Sequence, residues 1–277
     1  MKPFRDFFTG GFARPAIVAH RGDWSAAPEN SLKAIRAAAD LGCEIAEIDV
    51  QRSADGVFFV LHDRSLARTS TRPEVAETLD WKTLSALHLR EGDGSGPPTD
   101  QTLPSLAQVL ETARGRIYLD VDVKDPAHMD QVAALISAEG MAEQVNIKID
   151  VQTPADARTL KTLEDDHGVL VMPKTRFREA TADALIDLLA CCGAPVVEAK
   201  FDSLPVIANR REAFAAAGLK LSVYTLNGIA CCDLSDDRAR EDPDAIWGVL
   251  LDAGVSVLMT DALVELKAYR AQRPGSV

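Results

Sequence analysis

Apolar, β-rich runs alternate with helical patterns eight times along this chain, and that alternation restricts it to an α/β architecture. The runs begin near Ala16, Glu44, Arg116, Gln144, Gly168, Pro195, Lys220 and Val255. Helices are predicted over 31–41, 106–113, 129–138, 154–164, 181–189, 205–217, 244–253 and 263–269. Gly42, Gly115, Gly140, Gly168, Gly218 and Gly254 stand where helices hand over to strands, as helix C-termini favour. Eight strands, each followed by a helix, predict a closed parallel (β/α)8 TIM barrel in preference to an open doubly wound sheet. The 277 residues suit one such domain, since the barrel takes about 250.

Two segments break the alternation. Residues 63–103 form an insertion after the second strand region, with a short helix predicted over 81–87 and a polar loop, E-G-D-G-S-G-P-P-T-D. It is too short for an independent core and is expected to sit over the barrel mouth. The second is 227–243, rich in aspartate, after the seventh strand. Loops that follow barrel strands build the functional face, so both are candidate substrate walls.

Composition narrows the partners. Net charge is −12 and the pI near 4.9, so the surface repels nucleic acid and anionic lipid. An anionic ligand would then have to be met by local positive charge. No run approaches the roughly 18 apolar residues of a membrane span. The N-terminus, M-K-P-F-R-D-F-F-T-G-G-F, lacks the apolar h-region of a signal peptide, and its phenylalanines are expected to pack across the barrel floor. Five cysteines, two of the pairs vicinal and none in CxxC, make a poor disulfide or zinc framework. A cytoplasmic protein without stable membrane association is expected. Self-association is left open.

The chemistry concentrates between Val18 and Asp63, which reads V-A-H-R-G, P-E-N-S, E-I-D-V and D-G-V-F-F-V-L-H-D. Strand side chains alternate faces, so Glu47 and Asp49 share one face. In L-D-V-D-V-K, Asp120, Asp122 and Lys124 likewise share one. Burying such groups is costly unless they pair or bind a cation. At the C-terminal mouth of a barrel, Glu47, Asp49 and Asp122 become an oxygen-only cluster suited to Mg²⁺ or Ca²⁺. The alternative is structural, with Lys124 neutralising Asp122. His20 ends the first strand and His62 the D-G hairpin, and imidazoles beside carboxylates suit general acid–base work.

These motifs, in this order, resemble the glycerophosphodiester phosphodiesterase family, whose pattern is H-R-G, P-E-N-T, E-x-D-V, D-G and H-D. L-P-S-L-A-Q-V-L and V-L-M-T-D extend the likeness over essentially the whole chain. The resemblance implies metal-dependent hydrolysis of a glycerophosphodiester to glycerol 3-phosphate and an alcohol. It implies His20 and His62 as general base and general acid, Arg21 on a phosphate oxygen with Lys124 beside it, and Glu47, Asp49 and Asp122 as metal ligands. The family usually shows E-x-K on the third strand, where this chain has Asp122 and Lys124. A phospholipase D-type hydrolase or cyclase, or a barrel that binds a phosphoryl ligand without turnover, are the rival readings.

Several residues stay undecided between site and structure: Lys148, Glu198, Tyr224 and Asn227. His88, His128 and His167 read as surface residues in helical or loop contexts. P-E-N-S reads as a helix start, with Asn30 or Ser31 as the cap.

Overall fold

The computed structural model describes residues 1–273. Its strands are β1 (Ala16–Ala19), β2 (Ile45–Arg52), β3 (Phe58–Val60), β4 (His88–Arg90), β5 (Pro98–Thr102), β6 (Tyr118–Val123), β7 (Val145–Asp150), β8 (Leu170–Phe177), β9 (Val196–Phe201), β10 (Lys220–Tyr224) and β11 (Val255–Thr260). The order β1-β11-β10-β9-β8-β7-β6-β2, with β1 also pairing β2, closes eight strands into the expected TIM barrel. β3 is an antiparallel appendage on β2, with Val50 opposite Val60.

Contacts divide the chain into two compact units, one holding Ala19–Ile147 and the other Lys2–Val18 with the residues from Lys148 onward. In the first, Ser31 starts helix Leu32–Leu41 by accepting from the Ala34 N–H at 3.1 Å. Ser105 and Gln108 form a reciprocal capping box on helix Leu106–Ala113. The parallel register sets Glu47 against Asp120 and Asp49 against Asp122. Ile48, Val50, Val121 and Val123 therefore take the opposite face, all buried. Burying such a side chain contributes about 1.5–3 kcal/mol, which helps offset the polar groups on the inner face.

The insertion differs from expectation in one respect. Its helix is a single turn, Trp81–Leu84, and β4 and β5 follow as an antiparallel hairpin. Its apolar residues, Leu66, Ala76, Leu84, Leu89 and Leu103, pack on Phe59 and Leu61 beside β3. The insertion thus borrows a core from the barrel's edge. That packing fixes Leu61 and Leu66 on either side of His62.

The second unit has its own aromatic cluster, in which Phe4 stacks on Phe8 at 4.8 Å and Phe7 meets Phe12 at a tilt, 4.9 Å between ring centres. The helix expected over 205–217 is two pieces, Leu204–Ala208 and Arg211–Ala216. Asp244–Gly248 is a π-helical turn before Val249–Asp252. The aspartate-rich segment carries a helix, Asp236–Glu241. The wholly buried Asp236 carboxylate there accepts from Thr225 Oγ1, Thr260 Oγ1 and the Asp261 N–H. Burial pushes its pKa up, against those hydrogen bonds.

Candidate active site

β1 ends in a tight turn at His20-Arg21-Gly22. Arg21 takes a left-handed backbone, φ 59°, which turns its N–H onto Glu47 Oε2 at 3.2 Å. Gly22 is also left-handed, and a Cβ there would lie 2.7 Å from the Ala34 backbone. Only glycine lets the turn sit this close to helix Leu32–Leu41. His20 is half-buried, and its carbonyl accepts from Trp24 Nε1 at 3.2 Å.

Glu47, Asp49 and Asp122 converge as the period-two pattern requires. One carboxylate oxygen from each lies within 4.8 Å of the other two. Glu47 and Asp49 are buried, and Asp122 is half-buried. The Lys124 ammonium sits 2.5 Å from Asp49 Oδ1 and 2.8 Å from Asp122 Oδ2. Arg21 Nε lies 3.3 Å from Asp49 Oδ2. Burial works to raise the Asp49 pKa, but Lys124, Arg21 and His62 together hold it below the usual carboxylate range. Lys124 responds in the opposite sense. Burial would lower its pKa, and Asp49 and Asp122 raise it.

His62 Nδ1 lies 2.7 Å from Asp63 Oδ1. A proton on Nδ1 is thereby held by the carboxylate, leaving Nε2 to exchange protons with a ligand. The turn carrying the histidine is clamped by buried Gln51, whose Nε2 donates to the carbonyls of Leu61, His62 and Asp63 at 2.6, 3.2 and 2.9 Å.

The segment read as a helix start divides its work. Ser31 caps, but Asn30 does not. Asn30 is left-handed, φ 58°, and its amide pairs with Asp49 through both side chain and backbone. Glu29 is buried and receives Arg21 Nη1 at 3.0 Å and Arg68 Nη2 at 2.7 Å. Glu29, Asn30, Gln51, Asp63 and Arg68 are thus site residues that the reading of spacing passed over. The signal for the first two and Asp63 lay in the motifs themselves, P-E-N and H-D. Gln51 carried only the strand period it shares with Glu47 and Asp49, and Arg68 carried none.

The undecided residues of the second unit find structural partners. Lys148 and Glu198 form a buried pair at 3.1 Å, and Asn227 Oδ1 accepts from the Asp237 N–H. Tyr224 stands under Lys200, 5.8 Å from its ammonium, and burial, with Cys231 and Glu198, pushes its phenol up to about 12. Two of the remaining histidines also have partners: His88, exposed on β4, bonds the Thr99 carbonyl, and His128 meets the Phe58 ring edge-on at 6.0 Å.

The pattern of the Glycerophosphoryl diester phosphodiesterase family matches residues 20–265. The chain belongs to this family. A glycerophosphodiester phosphodiesterase of Caldanaerobacter subterraneus is 43% identical over 111 residues, 39% of this chain and 44% of that protein. The matched stretch covers less than half the length of the curated relatives it matches. A glycerophosphoryl diester phosphodiesterase structure from Parabacteroides distasonis superposes with a TM-score of 0.77 at 20% identity, over 100% of this chain and 95% of that one. An Oleispira antarctica phosphodiesterase, described in complex with the product sn-glycerol-3-phosphate, superposes with a TM-score of 0.67 at 18% identity, over 92% and 96% of the two chains.

A divalent cation, which membership in this family implies, fits the donor set. The candidate donors are all oxygens, and their spread is compatible with one ion at bonds of about 2.3–2.6 Å. In the surrounding network, five carboxylates (Glu29, Glu47, Asp49, Asp63, Asp122) meet three cationic side chains (Arg21, Arg68, Lys124). Lys124 offsets part of the acid charge, and the excess that remains favours a further cation. Among the described residues no helix is long and apolar enough to cross a membrane.

Proposed function

We propose that this chain hydrolyses glycerophosphodiesters to glycerol 3-phosphate and a free alcohol, with His20 and His62 exchanging protons and Glu47, Asp49 and Asp122 holding Mg²⁺ or Ca²⁺. The observation that carries this reading is the convergence of those three carboxylates with Lys124 and Arg21, beside a histidine whose Nδ1 is engaged by Asp63. Fold alone would not carry it, since barrels host many reactions.

The bound ion would act as a Lewis acid on a phosphoryl oxygen and as a template for the glycerol hydroxyls. Arg21 and Lys124, already fixed by carboxylates, meet the negative charge that grows on the phosphoryl oxygens. Removing one such preorganised donor typically costs about 3–4 kcal/mol in the barrier. His20 takes the proton of the nucleophile, water or the neighbouring glycerol hydroxyl, as its oxygen bonds phosphorus. The phosphorus–alcohol bond breaks, and His62 gives its Nε2 proton to the departing oxygen. Asp63 holds the opposite nitrogen throughout, so the ring stays aimed. The substrate is a small molecule met at the strand ends of a single barrel domain, with residues 63–103 as one wall. The reduced-cysteine pattern supports a cytoplasmic setting.

The test is release of glycerol 3-phosphate from glycerophosphocholine and glycerophosphoethanolamine, with and without chelator. Release that stops with chelator and returns with Mg²⁺ or Ca²⁺ is expected. No product from any glycerophosphodiester would leave a barrel that only binds. Activity confined to lysophospholipid or sphingolipid would mark a phospholipase D-type enzyme.

A further inference from the structure

Arg68 lies in the insertion, within the stretch that the family pattern matches but away from the strands that carry the clustered acids. Its guanidinium nevertheless fills the centre of the site's charge network. Nε and Nη2 donate to the two oxygens of Asp63 at 2.7 and 3.0 Å. Nη2 and Nη1 donate to the two oxygens of Glu29 at 2.7 and 2.9 Å. Nη1 also donates to the Asp93 carbonyl. The same Asp63 engages His62, and the same Glu29 engages Arg21. One planar fork therefore joins the histidine side of the site to the arginine side.

We propose that Arg68 is a positioning residue for the reaction. It locks the Asp63 carboxylate against His62 Nδ1, and so holds the ring with Nε2 toward the leaving alcohol. This rests on the activity proposed above. Glu29 is the anchor of the arrangement: its side chain is 3% exposed, and its backbone N–H donates to the Gly92 carbonyl at 2.9 Å, tying it to the insertion loop. Arg68 itself cannot drift. Gly94 presses on it so closely that a Cβ there would lie 2.6 Å from the Arg68 carbonyl oxygen, and Leu66 packs in the insertion core. Lysine could not do the same work, because a single ammonium cannot present paired donors to two carboxylates in one plane. Without Arg68, Asp63 keeps one weak tether to a partly exposed imidazole and rotates freely.

The test compares Arg68→Gln, Arg68→Lys and Asp63→Asn with the unaltered protein. Steady-state release of glycerol 3-phosphate from glycerophosphocholine is measured with ¹⁵N spectra of the His62 ring. Arg68→Gln should lower kcat by about 10–100-fold, a share of what general acid catalysis supplies, while KM moves by about threefold or less. Lysine should restore little of it. The ring spectrum should pass from one in which Nδ1 keeps its proton against Asp63 and Nε2 alone gains and loses one to that of a mixture of tautomers. Combining Arg68→Gln with Asp63→Asn should cost no more than the larger single loss, because both act through one imidazole. Wild-type kcat in Arg68→Gln with an unchanged ring spectrum would overturn the proposal, and so would losses that multiply in the double variant. If the unaltered protein releases no product, the activity has failed, and the tautomer shift alone then decides the role of Arg68.

Discussion

Asn30 grips Asp49 from two sides, its Nδ2 donating to Oδ2 at 2.8 Å while its Oδ1 accepts the Asp49 backbone N–H at 3.2 Å. The pair fixes both the rotation of the carboxylate and the strand that carries it. Partners of this kind, behind a ligand, typically contribute about 10–100-fold in metal affinity or activity. Asn30→Ala should therefore raise the Mg²⁺ or Ca²⁺ concentration needed for half-maximal activity by that factor, with maximal activity largely recovered at excess metal. A metal titration checks this. An unchanged half-saturation point would mean that Asp49 needs no such support.

Lys124 stands between two of the three clustered acids, so removing it exposes them to each other. Lys124→Met should lower stability by about 3–5 kcal/mol in chelator, the usual effect of deleting one partner of a buried pair. Divalent cation should then raise the Tm of the variant more than that of the unaltered protein, because more uncompensated acid charge awaits it. Calorimetry with and without Ca²⁺ measures both. An equal rise in the two proteins would show that Lys124 and the ion do not share ligands.

Much of this is legible in the amino-acid sequence. The clustering of Glu47, Asp49 and Asp122 follows from the strict period of two along a strand, and the barrel from eight alternations that leave few closures. Partners that meet only through space left no such trace. Gln51 shares the face of Glu47 and Asp49 but reads as an ordinary strand polar residue, and its three carbonyl acceptors lie ten to twelve residues on. Arg68 sits in a stretch with no periodicity. Asn30 was hidden by a competing local reading, since asparagine beside serine at a helix start suggests a cap. The β4–β5 hairpin was missed because Pro-Thr-Asp-Gln-Thr lacks the apolar alternation of a strand.

Asp63 makes part of the stability pH-dependent. Its pKa lies well below the usual range, chiefly because Arg68 hydrogen-bonds it, and His62 adds to this against burial. A carboxyl whose folded pKa is depressed contributes fully above its unfolded value, about 3.9, and loses that contribution as pH falls. Below about pH 4 the unfolded chain binds the proton that the folded chain refuses. Asp63→Asn should therefore have the lower Tm at pH 7, and its deficit should begin to shrink as pH falls below about 4 and go on shrinking at still lower pH. Parallel curves down to pH 3 would rule out Asp63 as a source of acid sensitivity.

Asp122 stands where the resemblance led us to expect glutamate, and the cluster closes around the shorter side chain. Its oxygen already lies within 4.8 Å of Glu47 and Asp49 and bonds Lys124. A further methylene would carry the carboxylate past that ammonium. Asp122→Glu should accordingly lower kcat/KM by about 10-fold rather than improve it, a loss of about 1.4 kcal/mol. Improved turnover would show that the shorter acid is a handicap in this protein.

Gln51 offers the most direct separation of the histidine's aim from the fold that surrounds it. Its amide donates to three successive carbonyls, and the middle one belongs to His62. Leucine matches glutamine in bulk but removes the donors, leaving buried acceptors unpaired at a cost of about 2–3 kcal/mol. Glutamate keeps the length and places acceptor oxygens against the same carbonyls, so it should be worse than leucine. Both variants should lose kcat more than KM, since the turn they loosen carries the proton donor and leaves Arg21 and Lys124 in place. Glutamate matching leucine in Tm and kcat alike would mean that packing from Phe59 and Leu61, rather than the amide, sets where His62 points.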